Sequence, residues 1–249
     1  KDLLKIMDYL VVNKIFFSYN KKEFIKNINL VINKGESISI FGPNGSGKTT
    51  LLKIILSILK PQKGEIFLEG KNVFKFKERE RAKKFSYVPQ KVSSFFPMST
   101  FDFLILGRVP YINGFIRKED REIVLNWMEK MGVMHLKDQN FQFLSEGEKQ
   151  LITLIRTFIQ ESEIIVLDEP LTHLDLKYKS KILELLKEIK KMGKTIISIF
   201  HDLESIKYIS DRVVLLKNGE ILKDGEVNDI LTKDNLTQLF EENISQILG

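Results

Sequence analysis

The residues best suited to chemistry form one run, Gly42-Pro43-Asn44-Gly45-Ser46-Gly47-Lys48-Thr49-Thr50, which follows the apolar stretch Ser37 to Phe41 and leads into Leu51-Leu-Lys-Ile-Ile-Leu56. Gly42, Gly45 and Gly47 let the backbone turn so tightly that its N–H groups converge on an anion. A helix beginning there adds the positive end of its dipole. Lys48 supplies a mobile charge for β and γ phosphate oxygens, and Thr49 a hydroxyl for Mg²⁺. A glycine-rich turn alone is common on protein surfaces. With a strand before it and a helix after it, the run reads as a nucleotide phosphate loop.

Further along, Ile164-Ile-Val-Leu167 ends in Asp168-Glu169-Pro170. Two carboxylates at the end of a buried strand are costly unless they meet a cation or a proton. Asp168 is suited to hold Mg²⁺ through its water shell, and Glu169 to polarise an attacking water. His201 emerges from Thr195 to Phe200 at the strand edge where ligands bind in open α/β sheets, which favours a γ-phosphate contact. Gln90 lies just beyond the strand Phe85 to Val88. Ser145-Glu146-Gly147-Glu148 precedes a helix. It reads equally as an S-x-x-E capping box or as a second anion site at a helix amino terminus. Tyr19, in Ser18-Tyr-Asn20, is placed either to stack on adenine or to pack on the sheet, and its position does not decide between them.

The elements that must carry these groups alternate. Strands are expected at Val11 to Phe17, around Ile28 to Ile32, at Gly64 to Gly70 on an antiparallel edge, at Phe85 to Val88, Ile164 to Leu167 and Thr195 to Phe200, and in a hairpin from Val213 to Leu222 around Asn218-Gly219. The phosphate-loop helix is expected to run to about Leu59, and Pro61 stops it. Further helices are expected at Glu78 to Lys84, Phe101 to Leu106, Ile123 to Met131, through Ile155 toward Ile159, and at Leu176 to Lys191, with two short ones after the hairpin. The segment before about Val11 reads as a frayed start. Alternating strands and helices imply an α/β fold with a mostly parallel sheet and an antiparallel β edge. The strand-poor stretch 92–159 reads as an inserted helical subdomain, with 1–91 and 160–249 forming the nucleotide-binding core.

Length and composition bound the rest. At 249 residues, 43% hydrophobic and 29% charged, the chain is ordinary for a globular protein, and its longest apolar runs are far too short to span a bilayer. No secretion signal is seen at its start. Without cysteine there is no thiolate for a disulfide, zinc or an iron–sulfur cluster, which fits a reducing cytoplasm. The net charge of +6 comes from lysines scattered among glutamates, a pattern of solvated faces that does not point to nucleic acid.

In their order along the chain, the phosphate loop, Gln90, Leu144-Ser-Glu-Gly-Glu148, Asp168-Glu169-Pro170, Leu174-Asp175 and His201 resemble an ABC transporter ATPase subunit over essentially the whole length. The resemblance implies a phosphate-loop NTPase fold. It also implies two ATP, with Mg²⁺, held between two head-to-tail copies of the chain. Tyr19 would stack on adenine, and Gly42 to Thr50 would hold phosphates. Gln90 would sense Mg²⁺ and the membrane domain, Asp168 would partner Mg²⁺ and Glu169 would be the base. Asp175 would lie in a dimer loop, and His201 would act as a switch. Ser145, with Glu146, Gly147 and Glu148, would close the partner's site.

Gly107-Arg-Val-Pro-Tyr111, Thr172-His-Leu-Asp175 and Ile230-Leu-Thr232 resemble the ATPases of iron–siderophore, haem and cobalamin importers. These imply a separate integral-membrane permease, an extracytoplasmic substrate-binding protein reached through it, and a place on the cytoplasmic face of the membrane. Phe95 and Phe96, beside Gln90, read either as core aromatics, the commoner role for such residues, or as a groove that takes a permease helix. Two rivals remain: an ABC ATPase of the iron–sulfur assembly type without a permease, and an ABC-type DNA-repair protein, which would need coiled-coil or zinc insertions absent from this chain. The family's usual Leu-Ser-Gly-Gly-Gln becomes Leu-Ser-Glu-Gly-Glu here. A carboxylate at Glu146 is tolerable only if it points away from a bound phosphate.

Overall fold

A computed structural model describes residues 8–20, 22–90, 97–172 and 174–241. Phe95, Phe96 and His173 lie outside the described residues. The chain divides into two compact units, Lys1–Phe76 with Leu185–Gly249, and Lys77–Glu184.

The first unit opens with β1 (Leu10–Tyr19) and β2 (Lys22–Ile32), which pair antiparallel. Then come β3 (Ser37–Phe41), the helix α1 (Lys48–Ile55), β4 (Lys63–Leu68) and the short β5 (Lys71–Asn72). All of these strands except β3 form a four-stranded antiparallel sheet in the order β2-β1-β4-β5. β3 is different: Ile38 and Ile40 are fully buried, and the whole strand is apolar apart from Ser37 and Ser39. A strand buried on both faces suits the interior of a parallel sheet. α1 is shorter than the apolar pattern suggests. It closes at Ile55 because Ser57 turns into the left-handed region (φ 53°), and Leu56 to Leu59 pass into a turn.

The second unit begins with α2 (Glu78–Lys84) and β6 (Phe85–Val88). It continues through the helices α3 (Thr100–Ile105), α4 (Lys118–Met131) and α5 (Glu146–Ile159), and between 97 and 159 the only strand-like feature of the described residues is a single bridge from Ser99 to Asn140. This unit is wider than the helical stretch expected at 92–159, because it also holds α2, β6 and β7 (Ile164–Asp168). β6 and β7 pair in parallel, Phe85 opposite Ile164 and Val88 opposite Leu167. α6 (Leu176–Lys191) then carries the chain back into the first unit.

There β8 (Thr195–Ile199) lies parallel to β3. After α7 (Leu203–Ile209), the hairpin β9 (Arg212–Lys217) and β10 (Glu220–Glu226) adds β9 parallel to the other side of β3. Its turn, Asn218-Gly219, has both residues at positive φ (50° and 81°), the backbone of the tight turn that this dipeptide favours. Two short helices, α8 (Val227–Ile230) and α9 (Lys233–Phe240), follow. The architecture is the expected α/β one, with parallel strands, helices and antiparallel strands, although the antiparallel strands β1, β2, β4 and β5 form a sheet of their own rather than an edge of the parallel one.

Candidate functional site

In the first unit, β3 delivers the chain into the glycine run. A Cβ on Gly42 would stand 2.0 Å from the Leu216 carbonyl oxygen, so no side chain fits where the loop passes β9. Gly45 and Gly47 hold φ of 78° and 105°, and Gly47 is the N-cap of α1. α1 therefore starts with neither a capping side chain nor an acidic residue in its first turn. Its leading amides lack helical acceptors, as at any helix start, and present a positive pole. Within the loop, the Ser46 hydroxyl is buried without a hydrogen-bond partner among the described residues. A buried hydroxyl in that state carries a cost of about 1–3 kcal/mol that an acceptor such as a phosphate oxygen would relieve.

Lys48 is buried, and its Nζ donates to the carbonyls of Gly42 (2.8 Å) and Pro43 (2.9 Å). The cation is thus folded over the concavity of the loop, with its charge at the centre. Tyr19, at the end of β1, is 45% exposed. Phe17 and Phe24 meet it edge-on at 4.7 and 5.5 Å, and its hydroxyl lies 3.4 Å from Thr50 Oγ1. The two sequence readings of Tyr19 are thus compatible: the ring is braced by its neighbours and still has surface to offer an adenine. His201 is exposed two residues beyond the end of β8, and the next residue, Asp202, caps α7 by accepting from the Ser205 amide (2.7 Å).

The second unit gathers a separate set. Asp168, at the end of β7, is fully buried, and Glu169 is 8% exposed. Gln90 Nε2 donates to Glu169 Oε2 at 2.5 Å, and the Tyr87 hydroxyl donates to Asp168 Oδ2 at 3.3 Å. Burial, with the Asp168 charge beside it, pushes the Tyr87 phenol well above its ordinary range, so it stays a neutral donor. Glu169 also holds a left-handed backbone (φ 55°), unusual for a residue with a side chain and a form of strain that concentrates at functional sites. These groups suit Mg²⁺, which takes one or two carboxylates and leaves its other positions to phosphates and water. Among the described residues no group of three His, Cys, Asp or Glu side chains forms an all-protein metal cage.

The start of α5 has the geometry of a capping box. Ser145 Oγ donates to Glu148 Oε2 (2.7 Å), the Ser145 amide donates to the same oxygen (2.9 Å), and the Glu148 amide returns to Ser145 Oγ (3.3 Å). Ser145 and Glu146 are exposed, and the Glu146 carboxylate pairs with Lys149 at 2.9 Å. Further along α5, Gln150 donates to the Pro170 carbonyl (3.3 Å), which ties this helix to the turn after the acidic pair. Asp175 caps α6, its Oδ1 accepting from the Tyr178 amide at 2.9 Å.

Within Gly107-to-Tyr111 the arginine is turned inward, whereas Val109 is exposed. Arg108 is 7% exposed and donates to Asp120 (3.0 Å), to the Ile159 carbonyl (2.9 Å) and to Glu161 (2.7 Å), while Tyr111 lies under its guanidinium at 4.4 Å. The described site residues thus fall into two groups. Tyr19, the Gly42–Thr50 loop and His201 lie in the first unit; Gln90, Ser145–Glu148, Asp168, Glu169 and Asp175 lie in the second. Sequence reading passed over Tyr87, Gln150 and Lys149. Lys149 had a visible signal, its spacing of three from Glu146 on a helix; Tyr87 had one only once β6 was known to run parallel to β7.

A family model described as ABC transporter matches residues 25–172. The chain belongs to the ABC transporter family. This ABC ATPase is 34% identical to the petrobactin import ATP-binding protein FpuC of Bacillus anthracis over 235 residues, covering 92% of this chain and 85% of that one. It is equally 34% identical to the manganese transport system ATP-binding protein MntA of Synechocystis, covering 92% and 88%. Among solved structures it resembles an inward-facing putative metal-chelate type ABC transporter (31% identity, TM-score 0.79, covering 94% of this chain and 89% of that one). It also resembles a dimeric ATP-binding cassette in a post-hydrolysis state bound to ADP and Pi (26% identity, TM-score 0.80, covering 88% and 98%).

Proposed function

We propose that this ABC ATPase is the ATP-hydrolysing subunit of an importer for an iron complex or related metal chelate, and that it works as a homodimer to drive a separate membrane permease. The observation that carries the reading is the phosphate loop: a helix start without an acidic residue, Lys48 folded over the turn, and the buried, unpartnered Ser46 hydroxyl. An ATP triphosphate supplies an acceptor for the Ser46 hydroxyl, and its negative charge matches Lys48 and the positive pole of α1. In this reading Gly42 to Thr50 bind the phosphates and Tyr19 stacks on adenine. Thr49, Asp168 and Gln90 hold Mg²⁺, which when bound neutralises developing charge on the phosphates. Glu169 accepts the proton of the water that attacks the γ-phosphorus, and the Gln90 amide orients that carboxylate. His201 contacts the γ-phosphate. Ser145 and its neighbours through Glu148 reach the nucleotide held by the other copy, and Asp175 lies at the contact between copies.

Support for import comes from a relative named for petrobactin import, and support for a metal-containing cargo from a relative named for manganese transport and a putative metal-chelate type transporter among the structures. The substrate-binding protein belongs to the same reading, as does the cytoplasmic face of the membrane. The test is Glu169→Gln. Loss of the base lowers turnover by roughly 100-fold or more, while ATP binding persists and a dimer accumulates with ATP in size-exclusion chromatography. Turnover near the parent's would reject Glu169 as the base.

A further inference from the structure

β6 and β7 run in parallel with Tyr87 opposite Val166, and Asp168 follows Val166 by two residues, so Tyr87 and Asp168 share one face of the pair. The phenol reaches along that face and donates to Asp168 Oδ2 at 3.3 Å. A tyrosine hydroxyl half-buried in a sheet is unfavourable unless it finds a partner, and Phe would fill the same volume without that demand. Here the partner is the carboxylate itself. The fully buried Asp168 sits at the strand end, where small rotations of its side chain move both oxygens, and a fixed donor on one of them restrains the carboxylate plane. Outer hydrogen bonds of this kind set the orientation of metal-binding carboxylates and tune their affinity.

We infer that Tyr87 is a positioning residue for Mg²⁺: its hydroxyl holds the Asp168 carboxylate in the orientation that meets the ion, without touching the ion or the nucleotide. The inference rests on the reading of Asp168 as the Mg²⁺ partner. It predicts a metal effect distinct from a folding effect, because Tyr87→Phe removes one oxygen and keeps the ring.

The test uses the full chain with a non-hydrolysable ATP analogue and Mn²⁺ as the probe, read by electron paramagnetic resonance, beside the Mg²⁺ dependence of ATP hydrolysis and thermal unfolding without nucleotide. Tyr87→Phe is expected to weaken Mn²⁺ binding by roughly tenfold. It should also raise the Mg²⁺ concentration for half-maximal hydrolysis by a similar factor, while kcat at saturating Mg²⁺ and the unfolding midpoint stay at the parent's values. Mn²⁺ binding equal to the parent's would overturn the inference, and so would a loss of turnover that excess Mg²⁺ fails to restore. Asp168→Asn separates the two levels. If that variant loses Mn²⁺ while Tyr87→Phe does not, the role of Tyr87 alone falls; if Asp168→Asn binds Mn²⁺ like the parent, the metal assignment falls with it.

Discussion

At Glu146 two electrostatic effects oppose each other. A carboxylate in the first turn of α5 gains about 0.3–1 kcal/mol from the helix dipole, and its exposed pair with Lys149 adds a few tenths of a kcal/mol. Against that, a phosphate charge about 4 Å away would repel it by about 4 kcal/mol at an effective dielectric near 20. The Glu146 carboxylate is turned onto a lysine of its own helix, the arrangement that keeps this cost low. Glu146→Gly is therefore expected to act in two directions. It should lose about 1 kcal/mol of stability in urea unfolding, from glycine in a helix and the missing charge, and it should lower the ATP concentration for half-maximal turnover. An unchanged or higher half-saturation would mean that Glu146 never comes near a partner's phosphate. This departure from the family pattern was legible as a residue, and so was its lysine three positions on. The left-handed backbone of Glu169 was not, since glutamate does not announce positive φ.

The Arg108 cluster belongs to the scale of elements. Its guanidinium joins three pieces of the second unit: the turn after α3, the start of α4 through Asp120, and the end of α5 through the Ile159 carbonyl. Asp120 Oδ2 in turn accepts the Arg117 amide (3.2 Å), so one carboxylate both caps α4 and neutralises the arginine. Burial works against the Arg108 charge, but the hydrogen bonds and charges of Glu161 and Asp120 outweigh it and push its pKa up. Arg108→Ala leaves Asp120 buried without its cation, and a loss of about 3–5 kcal/mol is expected. Chemical denaturation measures it, and a loss below about 1 kcal/mol would show the cluster to be solvated instead. The motif was visible in sequence and resembled that of importer ATPases, yet sequence alone did not reveal that its arginine faces inward. Periodicity served well where one face is apolar: β7 and β8 lie within a residue of their expected ends, and α6 coincides with its expected range. It served less well at helix starts. α4 begins at Lys118, five residues before the apolar pattern, because the Asp120 cap rather than hydrophobicity sets that end.

For the whole molecule, the class of fold and the family were legible because phosphate chemistry forces glycine, lysine and hydroxyl residues into fixed spacing. The cargo was not, since nothing in an ATPase subunit has to touch it. Among the described residues no helix is long and apolar enough to cross a membrane. Two means of attachment differ physically. The net charge of +6 could draw the chain to anionic lipid, an attraction that falls off over a Debye length of about 10 Å at 0.1 M salt and about 3 Å at 1 M. Docking on a permease would bury apolar surface, which salt does not weaken. The prediction is that membranes carrying the permease retain the chain through a 1 M salt wash, whereas protein-free vesicles rich in anionic lipid release it; sedimentation followed by gel quantification reads both. Equal release from the two would leave electrostatic adsorption as the whole attachment, and the coupling of hydrolysis to a permease would lose its physical basis.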